Sequence, residues 1–165
     1  MKAGICGICL NSDMLCMACK KKLDEGNVTE SYVRMARAVN GLSKTFRQME
    51  GVTINRVVEG KDMAVIVCGK GDRSRMIGRE GMIINRLSKA VGKNVRVVEE
   101  TNDVKEFVQG LISPVTLVGM NVVYTKEGEV LKLIIPRGRS IPMPKTSFDE
   151  IIRLVFGKGS VITHA

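Results

Sequence analysis

The sequence predicts an α+β fold in three segments: a cysteine-rich knuckle (residues 1–27), a small α/β unit (28–100) and a second α/β unit of related plan (101–165). Three observations carry this. Four cysteines fall within the first 19 residues. After them, apolar residues switch twice between helical spacing and β-branched runs. Glycine or proline punctuates the switches. With 44% apolar and 26% charged residues, the chain has a globular balance and not that of a disordered tail.

Thr29 or Asn27 caps a helix predicted to run to about Met49. Met35, Val39, Leu42, Phe46 and Met49 line one face of it. Gly51 stops it. Val52–Glu59 and the nearly continuous apolar run Met63–Cys68 form an antiparallel hairpin around Gly60-Lys61-Asp62. Gly69–Ile77 is short and basic, one or two helical turns. Ile84, Leu87 and Val91 mark a second amphipathic helix ended by Gly92, and Asn94–Glu99 closes the unit as a strand. In the last segment a helix over Asp103–Leu111 halts before Pro114. A hairpin of Val115–Tyr124 and Val130–Ile135 follows. Then come the basic, proline-punctuated loop Pro136–Pro144, a helix over Ser147–Phe156 and a strand over Ser160–Thr163.

The net charge of +9 points to a polyanionic partner. Residues 70–96 concentrate it: Lys70, Arg73, Arg75, Arg79, Arg86, Lys89, Lys93 and Arg96 stand against only Asp72 and Glu80. Aromatics are 4% and tryptophan is absent, so stacking on an aromatic platform is not the main binding device. Inside the basic window lies Gly78-Arg79-Glu80-Gly81, between the short helix and the amphipathic one. Glycines allow a sharp helix–helix turn and a close approach of a sugar-phosphate backbone. The N–H groups and positive dipole end of the following helix suit a phosphate. Arg79 adds a charged donor, and Glu80 is expected to face solvent.

The element order and the run Ile77-Gly78-Arg79-Glu80-Gly81 followed by Ile84 resemble the KH domain in its type II, prokaryotic arrangement. Two such units with almost no linker are similar to the tandem KH region of NusA-like archaeal transcription factors. The resemblance implies that the loop clamps the backbone of single-stranded RNA. It also implies a groove for the bases, with Met76, Met82, Ile83, Val95 and Val97 as candidates to line it, each of which also suits ordinary core. Arg73, Arg75, Arg86 and Lys89 are the candidate phosphate partners beside Ile77, Gly78, Arg79, Glu80 and Gly81. The last segment departs from the pattern: Arg137-Gly138-Arg139-Ser140 stands where a second Gly-x-x-Gly would be. It reads as a degenerate KH-like unit, with Arg137, Arg139 and Lys145 as an auxiliary basic patch.

Cys6, Cys9, Cys16 and Cys19 spell C-x2-C-x6-C-x2-C, which can supply four thiolates to one tetrahedral zinc ion with a structural role. A segment this short buries no useful core, so metal would supply its folding energy. Two disulfides or an iron–sulfur cluster are the alternatives. Cys68, in the apolar strand, is expected to be a buried core thiol.

The expectation is a non-catalytic, cytoplasmic RNA-binding protein, acting in transcription elongation or termination or another RNA-centred process. The alternative is an adaptor on ribosome or RNA polymerase, docked through the knuckle and the degenerate unit. Paired carboxylates near the basic window, or a nucleophile with a histidine base, would suggest an enzyme; neither is in the sequence. The longest apolar runs are far short of a membrane span.

Overall fold

The computed structural model describes all 165 residues. It comprises two compact units, Met1–Glu59 with Ala64–Glu100 and Gly60–Met63 with Thr101–Ala165. The fold is α+β, as expected. No helix is long and apolar enough to cross a membrane.

The first unit opens with two short helices, α1 (Gly7–Leu10) and α2 (Met17–Asp24), and continues with α3 (Glu30–Thr45). Thr29 is the cap of α3, its side chain accepting the Tyr32 N–H at 3.1 Å. The helix is shorter than its apolar period suggested. Phe46 takes extended backbone, and a 3-10 turn over Arg47–Met49 follows. That turn still delivers Met49 to the core beside Met35 and Val39, with Leu42 and Phe46 half-buried, without one continuous helix behind them. Strands β1 (Ile54–Glu59) and β2 (Met63–Cys68) pair antiparallel with a bulge between Ile54 and Arg56. Then come α4 (Arg73–Ile77), a 3-10 turn over Arg79–Gly81, α5 (Met82–Val91) and β3 (Asn94–Glu99). Gly92 ends α5 in the left-handed conformation (φ +72°), as a C-terminal glycine does. The sheet order is β1-β2-β3.

Val39, Ile66, Met76, Ile83 and Leu87 are fully buried in one cluster beneath these helices. Burial of side chains of this size contributes about 1.5–3 kcal/mol each. Cys68 belongs to the same cluster, and its burial, with Glu99 and Asp72 nearby, pushes its thiol up to about 12.

The first 27 residues do not stand apart. Ile5, Cys9, Leu10 and Cys19 lie in the same cluster as Val33 and Ala36 of α3. Lys2 donates its N–H to Val52 O (2.8 Å) and accepts from Ile54 N–H (2.9 Å). A segment too short to bury its own core thus uses that of its neighbour.

The second unit holds α6 (Val104–Ile112), β4 (Gly119–Thr125), β5 (Gly128–Ile135), α7 (Lys145–Phe156) and β6 (Gly159–His164). The Asp103 side chain caps α6 by accepting the Lys105 N–H at 2.8 Å. β4 pairs antiparallel with β5, and β5 pairs parallel with β6, in the order β4-β5-β6. The first strand begins four residues later than its sequence suggested. The Gln109 side chain holds the preceding stretch, donating to Val115 O (2.9 Å) and accepting from Leu117 N–H (2.7 Å). Asp149 fastens α7 to β6 by accepting from both the N–H and the hydroxyl of Ser160.

Candidate nucleic-acid interface and metal site

The α4–α5 junction is built by its glycines. Gly78 ends α4 with φ +76°, and a Cβ there would meet Ile83 Cγ1 at 2.7 Å. Only a glycine lets the turn settle on that buried isoleucine. Gly81 is left-handed (φ +75°), but its missing Cβ would have ordinary room, 3.7 Å from Asn85 Nδ2. Between them Glu80 adopts φ +52°, the only positive φ in the chain outside glycine. Arg79 and Glu80 are both exposed, so Glu80 faces solvent as expected.

The turn offers fewer open N–H groups than its sequence suggested. Gly78 donates to Ser74 O, Gly81 to Gly78 O, and Met82 to Arg79 O. A chain reversing over four residues satisfies its own amides first. The N–H groups of Arg79 and Glu80 take no part in these bonds. Those two amides, with the Arg79 guanidinium, are what the turn presents to a ligand.

The remaining predicted residues separate into exposed and braced. Arg86 and Lys89 are exposed on α5, with the Arg86 guanidinium 5.1 Å from the centre of the Phe46 ring. Arg75 is a brace. It donates to Gln48 O, Glu50 O and Asp72 Oδ1, and so is tied to the 3-10 turn after α3 instead of reaching outward. Asp72, itself buried, also accepts the Thr53 N–H at 2.9 Å. Arg73 donates from Nε to Val97 O, linking α4 to β3. Ile77 is half-buried against the core. Of the five candidate groove residues, Met76, Ile83, Val95 and Val97 are core, and Met82 is 45% exposed. In the second unit, Arg137, Arg139 and Lys145 are exposed.

The four N-terminal cysteines form the second site. Each C-x2-C pair opens a helix: Cys6 and Cys16 are N-caps with nearly equal backbone angles, and Cys9 and Cys19 stand three residues further on. The two knuckles interlock. Cys6 N–H donates to Cys19 Sγ (3.4 Å), and Cys16 N–H donates to Cys9 Sγ (3.1 Å). All four sulfurs lie within 4.8 Å of one another, with Cys6 and Cys9 at 3.4 Å and Cys6 and Cys16 at 4.0 Å. They are free thiols, with no disulfide among them. A zinc–sulfur bond of 2.3 Å implies a tetrahedral edge of about 3.8 Å, which these separations bracket. The four cysteines are therefore positioned to hold a metal ion.

The electrostatics agree. A hydrogen bond from the Cys9 backbone, then one from its side chain, lowers the Cys6 thiol to about 6. The Cys19 backbone does most to lower that of Cys16. At Cys9 the Cys16 N–H works in the same direction. Burial and the three neighbouring sulfurs outweigh it and raise that thiol to about 12. Four sulfurs this close cannot all ionise without a cation among them.

No protein-family model and no curated protein matches the chain. Its fold is similar to the solved crystal structure of APE1850, at a TM-score of 0.55 and 22% identity, over 74% of this chain and 94% of that one. At that identity the likeness is one of fold.

One residue beside the four cysteines was not singled out from the sequence. Arg37 donates from Nε to Cys9 O at 3.0 Å, and its NH2 nitrogen is buried without a hydrogen-bond partner. The available signal was a cation beside the buried Val33–Ala36 stripe of α3, a pattern that a solvated arginine also gives.

Proposed function

We propose that the chain is a non-catalytic RNA-binding protein whose first unit is a type II KH domain. The observation that carries this reading is the Gly78–Gly81 turn. Packing on Ile83 makes Gly78 obligatory, and the turn presents Arg79, with the Arg79 and Glu80 amides, at the start of α5. Arg86 and Lys89 extend the positive surface along that helix. A strand whose phosphates meet Arg79 would run beside Met82, the apolar side chain exposed next to the turn. The second unit shares the helix, strand, strand, helix, strand order and the sheet order, and lacks the glycine turn. It reads as a degenerate copy of the first. The metal is assigned as one structural zinc ion, the donor set being four thiolates in two helix-capping knuckles. Action in the cytoplasm, in transcription elongation or termination after the manner of NusA-like proteins, follows from the same reading.

The test replaces Arg79 and Glu80 together by aspartate. Affinity for a mixed-sequence single-stranded RNA should fall at least tenfold while the circular dichroism spectrum and melting temperature hold. Unchanged affinity would reject the turn as the clamp.

A second reading has its own observation. Ile8, Met14 and Met17 are 77–90% exposed around the knuckles, where an RNA ligand has little use for them. They suit docking of a protein such as a ribosomal or RNA polymerase subunit. Co-purification with such a subunit at salt high enough to strip RNA would favour that role.

A further inference from the structure

Arg37 carries a buried charged nitrogen that no anion meets. It stands on α3, where its Nε donates to the Cys9 carbonyl at 3.0 Å and its NH2 nitrogen has no acceptor. A guanidinium taken out of water calls for a negative charge beside it. The nearby carboxylates do not provide one. Asp13 and Glu30 line the cleft that Arg37 borders, together with Leu15, Leu23 and Val33, and neither forms an ion pair with it. Arg34, one turn earlier on α3, is matched with Glu59.

The four cysteines can provide it. Four thiolates around one divalent ion leave two negative charges on the site. Cys9 and Cys19 are 1% and 2% exposed and share a core cluster with Val33 and Ala36 of α3, whereas Cys6 and Cys16 are exposed. Water screens the outer pair. On the inner side the Cys16 N–H reaches Cys9 Sγ and the Cys6 N–H reaches Cys19 Sγ, but neither donor carries a charge. The lysines of α2 are engaged elsewhere or exposed: Lys21 pairs with Glu25, Lys22 donates to Gly4 O, and Lys20 faces solvent.

We infer that Arg37 is the charge partner of the four-cysteine metal site, a positioning residue that holds the Cys9 backbone and offsets the negative charge of the loaded thiolates from the buried side. The inference rests on the reading of the four cysteines as a metal centre. It gives Arg37 two jobs. The Nε bond fixes the carbonyl of one ligand residue, and the guanidinium charge acts where an uncompensated thiolate is least tolerated. Arg37 is not itself a ligand.

The experiment compares the reduced full chain with Arg37→Gln, which removes the charge, and Arg37→Lys, which keeps it. Zinc affinity, measured by competition with a chelator, should fall about 10–100-fold in Arg37→Gln and clearly less in Arg37→Lys. Two readouts separate charge from packing. In cobalt-loaded protein the thiolate-to-cobalt charge-transfer band should move to lower energy in Arg37→Gln alone, since a cation near sulfur holds its electrons more tightly. The melting temperature of Arg37→Gln should drop below that of the wild type when zinc is bound. Without metal it should equal or exceed the wild type, in which the charge is then unmatched. Affinity lost equally by both variants, or by neither, would overturn the inference. So would an Arg37→Gln protein that melts lower by the same amount with and without zinc. A wild type that takes up neither cobalt nor zinc would overturn the metal centre and this inference together.

Discussion

Gly78 sits against Ile83 so closely that the smallest side chain on the glycine would lie 2.7 Å from Ile83 Cγ1. Gly81, three residues on, has no such neighbour. Both have a positive φ, with an extended ψ (172°) at Gly78 and a left-handed helical conformation at Gly81. Gly78→Ala combines overpacking with backbone strain and should cost about 2–4 kcal/mol. Gly81→Ala carries the backbone term alone, about 1–2 kcal/mol. Denaturant unfolding of the two variants would show the difference, and equal costs would argue against the Ile83 contact.

Glu80 pays for its left-handed backbone with no packing in return. Glu80→Gly should therefore be neutral or stabilising, by up to about 1 kcal/mol. Thermal denaturation checks it.

Arg75 and Arg79 are four residues apart and should behave oppositely. Arg75→Ala leaves Asp72 buried without its cation and two backbone carbonyls without a donor, so stability should drop by about 2–4 kcal/mol. Arg79→Ala should barely alter stability, and should reduce the salt dependence of RNA binding by roughly 0.7 in log–log slope, the share of one phosphate contact. Melting curves and salt titrations separate the two.

Metal binding must displace the proton that Cys9 holds up to about 12, and it needs all four sulfurs ionised. Affinity should therefore fall as pH drops from 8 to 6, with protons released on binding, as calorimetry in two buffers would register. Cys9→Ser or Cys19→Ser should abolish metal uptake and lower the melting temperature of the whole first unit, since both sulfurs lie in the core cluster that includes α3.

Glu59 accepts from Ser31 and is paired with Lys93 and Arg34, which together hold its carboxyl below the usual range, with the Ser31 bond the largest contribution. A depressed folded-state value means this stabilisation is complete above the unfolded-state value of about 4.3 and is lost as pH falls through the folded one. Glu59→Gln should lower the melting temperature at pH 7 and flatten its decline under acid.

Much of this was legible in the chain because the local signals agree. β2 and β3 have the ends their apolar runs implied, and Gly92 and Thr29 bound their helices as capping chemistry requires. The cysteine spacing alone indicated four converging sulfurs. What stayed hidden depends on partners distant in sequence. Nothing in Arg73-Ser-Arg75 says that Arg75 turns back to Gln48 and Glu50, because an arginine on a basic segment looks the same whether it meets a phosphate or a carbonyl. Nothing in Val115–Val118 says that the Gln109 amide displaces a strand partner. The accounting of N–H groups in the glycine turn follows from dihedral angles that the two glycines permit without dictating.

The Tyr32 hydroxyl accepts from Gly4 N–H (2.7 Å) and donates to Ile54 O (2.8 Å), while Lys2 bonds to backbone on both sides of Thr53. Here the amides of Lys2 and Gly4 should exchange with deuterium as slowly as those of mid-strand positions, opening only when the sheet itself comes apart. Tyr32→Phe would remove the acceptor of the Gly4 N–H, so the Gly4 amide should exchange faster while that of Lys2, bonded to Val52 O, keeps its protection.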